Sequence, residues 1–321
     1  MHLNEFAADA GPLDMTALDE FGSLLQSASD LGIPHSRDVR YVSRNVVVNH
    51  LRMHLLEWGD PAAPAVVVLH GANQSAHSWD LVSLHLADRY HVYALDQRGH
   101  GDTEWVRDSD YSAPAMARDA AALIGLEGIE SPIVFGHSMG GMVTLYLAST
   151  HPEVARGLVI VDVGPTVSEA GTRIIGNFVS SNREFDSIDE FIERVVKYDP
   201  FRTREHMERT ARYNLIRRID GKYISKSDRV LHDERFRQMR YEHAPRMQMD
   251  DVRVISAPTL VVRGGESNVL EPEGAAAFVG ALPRGELVTV PDCGHNVHSQ
   301  NTPGFLEAVQ PFLASLDGAR V

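Results

Sequence analysis

Residues 133–140 read Ile133-Val134-Phe135-Gly136-His137-Ser138-Met139-Gly140. An apolar run enters a Gly-x-Ser-x-Gly pentapeptide, and a helical pattern leaves it from Gly140 to Ser149. Chance supplies such a pentapeptide in a chain this long roughly one time in ten, so its setting carries the inference. A turn passing directly from a buried strand into a helix forces its central residue into strained backbone geometry, and flanking glycines remove the clashes a Cβ would cause. The turn lifts Ser138 Oγ out at the end of a sheet. It also sets the Met139 N–H at a helix N-terminus, where a developing oxyanion is stabilised. Ser138 is therefore the candidate nucleophile and Met139 the first candidate oxyanion donor.

Similar short apolar runs recur at Ala65 to Leu69, His91 to Leu95, Leu158 to Val161, Thr259 to Val262 and Leu287 to Val290. They lack polar alternation, as strands of a parallel sheet buried on both faces do. Helical patterns separate them, at Ser78 to Asp88, Ala113 to Leu126, Pro272 to Leu282 and Thr302 to Leu316. Two further β-rich runs, Tyr41 to Val48 and Leu51 to Trp58, read as an antiparallel opening pair closed by Gly59-Asp60-Pro61. Counting Pro132 to Phe135, the pattern predicts a doubly wound, mostly parallel eight-stranded α/β sheet. Between Asp162 and Thr259 the rhythm breaks for about a hundred helical, Arg-rich residues, too many for a plain connection. The expected organisation is an N-terminal arm with an amphipathic helix (1–36), a core (37–163 and 251–321) and a helical cap insertion (164–250). Ligands bind at the carboxyl edge of open α/β sheets, so the cap is expected to roof the pocket.

Two more loops belong to that edge. His70-Gly71-Ala72-Asn73 follows the strand ending at Leu69. Its glycine permits close approach to the nucleophile, and the N–H of Ala72, or second to it Asn73, can supply the other oxyanion donor. His70 is read as holding the loop. Pro291-Asp292-Cys293-Gly294-His295 follows the last strand and precedes the last helix, and among sixteen histidines only His295 has this placement. It is the candidate base. His298 is read as a pocket or surface residue, and Cys293 as a small buried one.

These ordered motifs resemble the α/β-hydrolase superfamily over about residues 37 to 316, and Asp96-Gln97-Arg98-Gly99-His100-Gly101 is similar to the D-x-R-G-x-G loop that is structural in many members. The resemblance implies the α/β-hydrolase fold and a carboxylate partner for the base in a loop patterned R-G-x-x-S-D. Here that loop reads Arg263-Gly264-Gly265-Glu266-Ser267-Asn268, with an amide where the acid is expected. An amide cannot stabilise the imidazolium. Asp162, which closes the strand Leu158 to Val161 where some members place their acid, is the first replacement. Glu266 is the second, and a site without a conventional acid is the third.

A serine, two oxyanion donors and a histidine suit acyl transfer to water, as in a carboxylesterase: hydrolysis of an ester, lactone or amide, or of an activated C–C bond. A serine at this turn disfavours epoxide hydrolases and haloalkane dehalogenases, which need a carboxylate nucleophile. The displaced acid and the R-G-E-S-like loop also resemble 2-(acetamidomethylene)succinate hydrolase-like enzymes. That likeness implies a small carboxylate-bearing substrate and makes the cap arginines Arg202, Arg204, Arg209, Arg212, Arg217 and Arg218 candidate clamps. His77 and Trp79 are weaker pocket-wall candidates, with Trp79 read first as core. A C–C hydrolase of ring-cleavage products and a non-catalytic ligand-binding member are the competing classes.

Composition bounds the partners. The net charge of -14 argues against a broad nucleic-acid face. Its distribution is uneven: residues 165–250 carry 17 Lys and Arg against 15 Asp and Glu, while residues 1–36 hold six acids and no Lys or Arg. A single cysteine excludes an internal disulfide framework, and nothing calls for a metal or organic cofactor. Without an apolar run of the roughly 20 residues a membrane span needs, or a signal-like start, the chain is expected to be soluble and cytoplasmic with a small-molecule substrate. Met15, Leu18, Phe21, Leu24, Leu25, Ala28 and Leu31 form a helical stripe. It packs on its own domain or, alternatively, on a second subunit of a homodimer.

Overall fold

The structure, a computed structural model, describes residues 20–36, 39–181 and 184–318. It contains an eight-stranded sheet in the order β1 (Tyr41–Val48), β2 (Leu51–Trp58), β4 (His91–Leu95), β3 (Ala65–Leu69), β5 (Ile133–His137), β6 (Gly157–Val161), β9 (Thr259–Gly264) and β10 (Gly285–Val290). Only β2 runs against the rest, pairing antiparallel with β1 and β4, and every other pairing is parallel. The unbroken apolar runs reflect burial on both faces. Along β3, Val66 and Val68 enter one core layer with Trp58 and Trp79, while Val67 and Leu69 enter the opposite layer with Leu123 and Val143.

The helices α2 (Asp80–Leu86), α3 (Ala113–Leu126), α4 (Met139–Thr150), α9 (Pro272–Ala281) and α11 (Thr302–Gly318) cover the two faces. Strand order reverses at β3, whose chain neighbour β4 lies on one side and β5 on the other. A crevice opens outside the carboxyl ends of strands at such a reversal, and the loops after β3 and β5 meet there. The Asp96 loop fixes its rim. Asp96, fully buried, accepts from the N–H of Ala76 (2.6 Å), from His54 Nδ1–H (2.7 Å) and from the N–H of Asp102 (2.9 Å).

Between β6 and β9 the chain forms the cap from α5 (Glu169–Ser181), α6 (Ile188–Tyr198), α7 (Arg204–Asn214) and α8 (Glu234–His243). The cap is not wholly helical. Leu215–Arg217 (β7) and Tyr223–Ser225 (β8) pair antiparallel, with strands too short to leave a readable period in the sequence. Phe185, Ile192, Val195, Met207, Ala211 and Leu215 give the cap a small core of its own. Arg209 of α7 ties cap to core: its Nη1 donates to Asp80 Oδ2 of α2 at 2.7 Å, with both side chains almost wholly buried.

The N-terminal stripe forms α1 (Glu20–Asp30), which packs against α2 and α7 of its own chain. Leu24 and Ala28 are buried in the layer that holds Trp58 and Trp79, whereas Leu31 is 38% exposed. Met15 and Leu18 of the same stripe lie outside the described residues. Among the described residues no helix is long and apolar enough to cross a membrane.

Candidate active site

Ser138 occupies the tight turn between β5 and α4 with φ 51° and ψ -114°, a region costly for any residue with a Cβ. The turn closes because its flanking glycines permit contacts nothing larger would allow. A Cβ on Gly136 would lie 2.3 Å from the Gly140 carbonyl oxygen, and one on Gly140 would lie 2.3 Å from that of Leu69. The Ser138 N–H donates to Val161 O of β6 (3.0 Å), and one strand further the Asp162 N–H donates to Val262 O of β9 (2.8 Å). This stagger carries Ser138 and Asp162 to the same edge. Asp162 too adopts a positive φ, 52°.

His295 bridges them. Its Nδ1 lies 2.8 Å from Asp162 Oδ2 and its Nε2 lies 2.9 Å from Ser138 Oγ. A carboxylate can only accept, so Nδ1 carries the imidazole proton and Nε2 is left to accept from the Ser138 hydroxyl. Asp162 is fully buried and its oxygens are fully engaged: Oδ1 accepts from the Gly264 N–H (3.0 Å), and Oδ2 also accepts from Ser267 Oγ–H (2.5 Å). Ser267 escaped the sequence reading. It stands beside Asn268, in the loop from which the expected acid is missing, and its hydroxyl holds the carboxylate that stands in another loop. Glu266 and Asn268 are exposed.

The loop after β3 behaves as its composition suggested. His70 is buried, its Nδ1–H donates to Gly71 O (2.8 Å), and its Nε2 accepts from the Gln97 N–H (3.0 Å), which locks this loop to the Asp96 loop. Ala72 lines the cavity above Ser138. Among the described residues, neither the Ala72 N–H nor the Met139 N–H meets a protein acceptor. The Asn73 side chain reaches toward the cap, its Oδ1 accepting from Ser227 Oγ–H (3.1 Å).

Several expected placements change. His298 neither lines the pocket nor reaches the surface, because the short helix α10 (Val297–Gln300) turns it inward to stack on Trp79 with ring centroids 4.0 Å apart. His77 is likewise buried, its Nδ1–H donating to Asp80 (3.0 Å) and its ring stacked on Tyr213, whereas Trp79 is core, as expected. Of the six arginines named as candidate clamps only Arg202 reaches the cavity lining. Arg209 is spent on Asp80, Arg204 pairs with Glu208 and Asp189, Arg218 with Glu184 and Asp220, and Arg212 and Arg217 are exposed. Long side chains of a charge-rich cap find partners nearby before they find a ligand.

Cys293, fully buried with its Sγ–H directed at Val290 O, has its thiol pushed up to about 11 by burial and carries no thiolate at neutral pH. Beneath His295 lie two more histidines. His137 donates Nε2–H to the His295 carbonyl oxygen (2.9 Å), and burial holds its ring well below the ordinary histidine range. Burial, reinforced by Arg202, His295 and His70, lowers His298 to about 3. Both rings therefore stay neutral and do not compete with a positive charge on His295. The grouping His54, Asp96 and Asp102 has the residue types of a metal site, but its atoms are engaged: His54 with Asp96 and Ser43, Asp102 with Lys226.

The buried histidines set an acid limit. A histidine at about 3 when folded and near 6.5 when unfolded binds its proton only on unfolding between those values, so stability falls as pH drops below about 6.5. Linkage puts the His298 share at about 2 kcal/mol at pH 5. His298→Phe is expected to flatten the fall in urea midpoint between pH 7 and pH 5. An unchanged pH slope would refute this assignment.

Comparison with known proteins bears on the fold. Residues 64–302 match the α/β hydrolase fold family model. An esterase of Mycobacterium tuberculosis is 28% identical over 94% of this chain and 97% of its own length, and an sn-1-specific diacylglycerol lipase of Mus musculus is 28% identical over 82% and 85%. Among solved structures, an E-2-(acetamidomethylene)succinate hydrolase superposes with a TM-score of 0.77 at 22% identity, covering 86% of this chain and 100% of that one.

Proposed function

The chain belongs to the α/β-hydrolase fold family, and from that premise we propose that it is a serine hydrolase acting on an ester, lactone or amide through an acyl-enzyme. The observation that carries this reading is the continuous hydrogen-bonded series from Asp162 through His295 to Ser138 Oγ. As Ser138 Oγ attacks the substrate carbonyl, His295 Nε2 takes its proton. Asp162 holds the ring in the receptive tautomer and stabilises the imidazolium. The N–H groups of Met139 and Ala72 bind the oxyanion, in a site whose backbone dipoles are oriented before the substrate arrives. His295 then protonates the leaving group, and water activated by the same nitrogen hydrolyses the acyl-enzyme.

Esterases and lipases among the relatives support hydrolysis as the reaction type. A fluorophosphonate probe tests the nucleophile. It is expected to modify the wild-type protein once, at Ser138 by peptide mass, and to leave Ser138→Ala unmodified. Modification of Ser138→Ala, or an unlabelled wild type that still turns over ester, would overturn the reading.

A further inference from the structure

The cavity between cap and core has two unlike walls. The core side, next to Ser138 and His295, is polar: Gln74 Nε2–H donates to Asn296 Oδ1 (3.0 Å), Ser75 Oγ–H donates across to Asn214 Oδ1 of α7 (2.9 Å), Ser299 Oγ–H donates to its own helix turn, and the buried Ser78 Oγ meets no partner among the described residues. The cap side is mostly apolar, with Phe178, Phe185, Phe191, Val195, Met207 and Leu215, and its polar lining residues Thr210, Ser225 and His232 are hydrogen-bonded within the cap. Its apolar side chains belong to the cap's own core cluster or pack on it, so the cap carries its apolar wall as a built surface.

Among the described residues, Arg202 is the lone Lys or Arg on the lining. Its charge is already balanced there: Nε–H donates to Asp199 Oδ2 at 2.9 Å, and Asp199 is buried. Asp199 Oδ1 in turn accepts from Gln300 Nε2–H (2.9 Å), and Gln300 Oε1 accepts from the Gly294 N–H (2.7 Å), beside His295. Drawing Arg202 toward an anionic ligand would strand a buried carboxylate. An anion entering the chamber would meet the Asp199 carboxylate together with the Arg202 guanidinium.

We infer that the cap wall holds a neutral, apolar acyl chain, so that the preferred substrates are esters of medium-length aliphatic acids in place of the carboxylate-bearing ones that the likeness to 2-(acetamidomethylene)succinate hydrolase-like enzymes implied. The inference rests on the serine-hydrolase reading. In that reaction the leaving group departs at the first step while the acyl group stays through both, and the group that stays belongs in the chamber under the cap. Its carbonyl meets the polar wall and its chain the apolar one.

The experiment measures kcat/KM for the 4-nitrophenyl esters of acetate, butanoate, hexanoate and octanoate, and for the 4-nitrophenyl half-ester of adipate, which matches hexanoate in length but ends in a carboxylate. Burial of each added methylene is expected to raise kcat/KM roughly three- to fourfold until the chamber is full. The adipate half-ester is expected to fall at least about tenfold below hexanoate, since its carboxylate would be desolvated without a free partner. A flat or falling series, or an adipate half-ester that equals hexanoate, overturns the proposal. Met207→Trp, which fills the chamber, should move the optimum to shorter chains, and an equal loss for every ester would also count against it. Fluorophosphonate modification separates the two levels. With Ser138 modified and the series flat, only the acyl-chain inference falls; with Ser138 unmodified and no ester turned over, it falls together with the serine-hydrolase reading.

Discussion

Asp162→Asn is expected to lower kcat on an ester substrate by on the order of 10⁴-fold with little change in KM. The cause is the tautomer. Asp162 Oδ2 lies 2.8 Å from His295 Nδ1, and only an acceptor there keeps the proton on that nitrogen. An amide turned to satisfy the Ser267 hydroxyl and the Gly264 N–H presents its NH₂ to His295, so the proton moves to Nε2. That nitrogen then cannot receive the Ser138 proton. Because Asp162 also holds the loop of Gly264 and Ser267, the comparison needs a variant whose circular dichroism and melting match the wild type. Glu266→Gln is the control, expected to stay within roughly twofold because Glu266 is exposed. If Asp162→Asn retained activity within tenfold of wild type while Glu266→Gln lost it, the acid would have been misassigned.

The second large effect is on stability. Arg209→Met removes the guanidinium that pairs with Asp80 across the cap–core boundary, where the two side chains are 3% and 1% exposed. Removing one partner of a buried pair leaves the other charge desolvated, a loss of about 3–5 kcal/mol. For a chain of this size that amounts to a melting point lower by roughly 5–10 °C. His77 also donates to Asp80, at 3.0 Å, and its single ring N–H does not replace the guanidinium. Adding Asp80→Asn should recover part of the loss, since an amide is cheaper to bury than a carboxylate. A single variant within 1 kcal/mol of wild type, or a double variant less stable than the single, would contradict the assignment.

How much was legible in the chain differs from element to element. The six inner strands and the main helices of the core could be read because burial imposes a local, repeated demand on residue type, while the half-exposed edge strands β1 and β10 showed only as β-branched runs. Ala65 to Leu69 and Leu158 to Val161 declare themselves without knowledge of any partner. The turn at Ser138 was equally readable, since its glycines answer a clash within a few residues. The stretch Leu215 to Ser225 was not, because strands of three residues are shorter than any period they could display.

Asp162, Glu266 and Asn268 could be named from the chain as the positions at issue, but the choice among them is a distance between loops. His295 is 133 residues from Asp162, and the stagger of β5, β6 and β9 decides which carboxylate arrives beside it. Ser267 gained meaning only when Asp162 was found against its hydroxyl. The cap arginines make the same point. Composition showed the excess of positive charge in the cap, but Arg209 faces Asp80 and Arg202 faces Asp199 for reasons of packing that no pattern records. The inward turn of His298 belongs here too. The sequence determined the sheet, the cap insertion and the candidate nucleophile and base, because each is written in local periodicity or in a turn a few residues long. The tertiary structure alone decided the carboxylate beside the base, the serine that holds it, the fate of the arginines and the apolar wall of the cavity, because each depends on side chains that meet only once distant strands are in register.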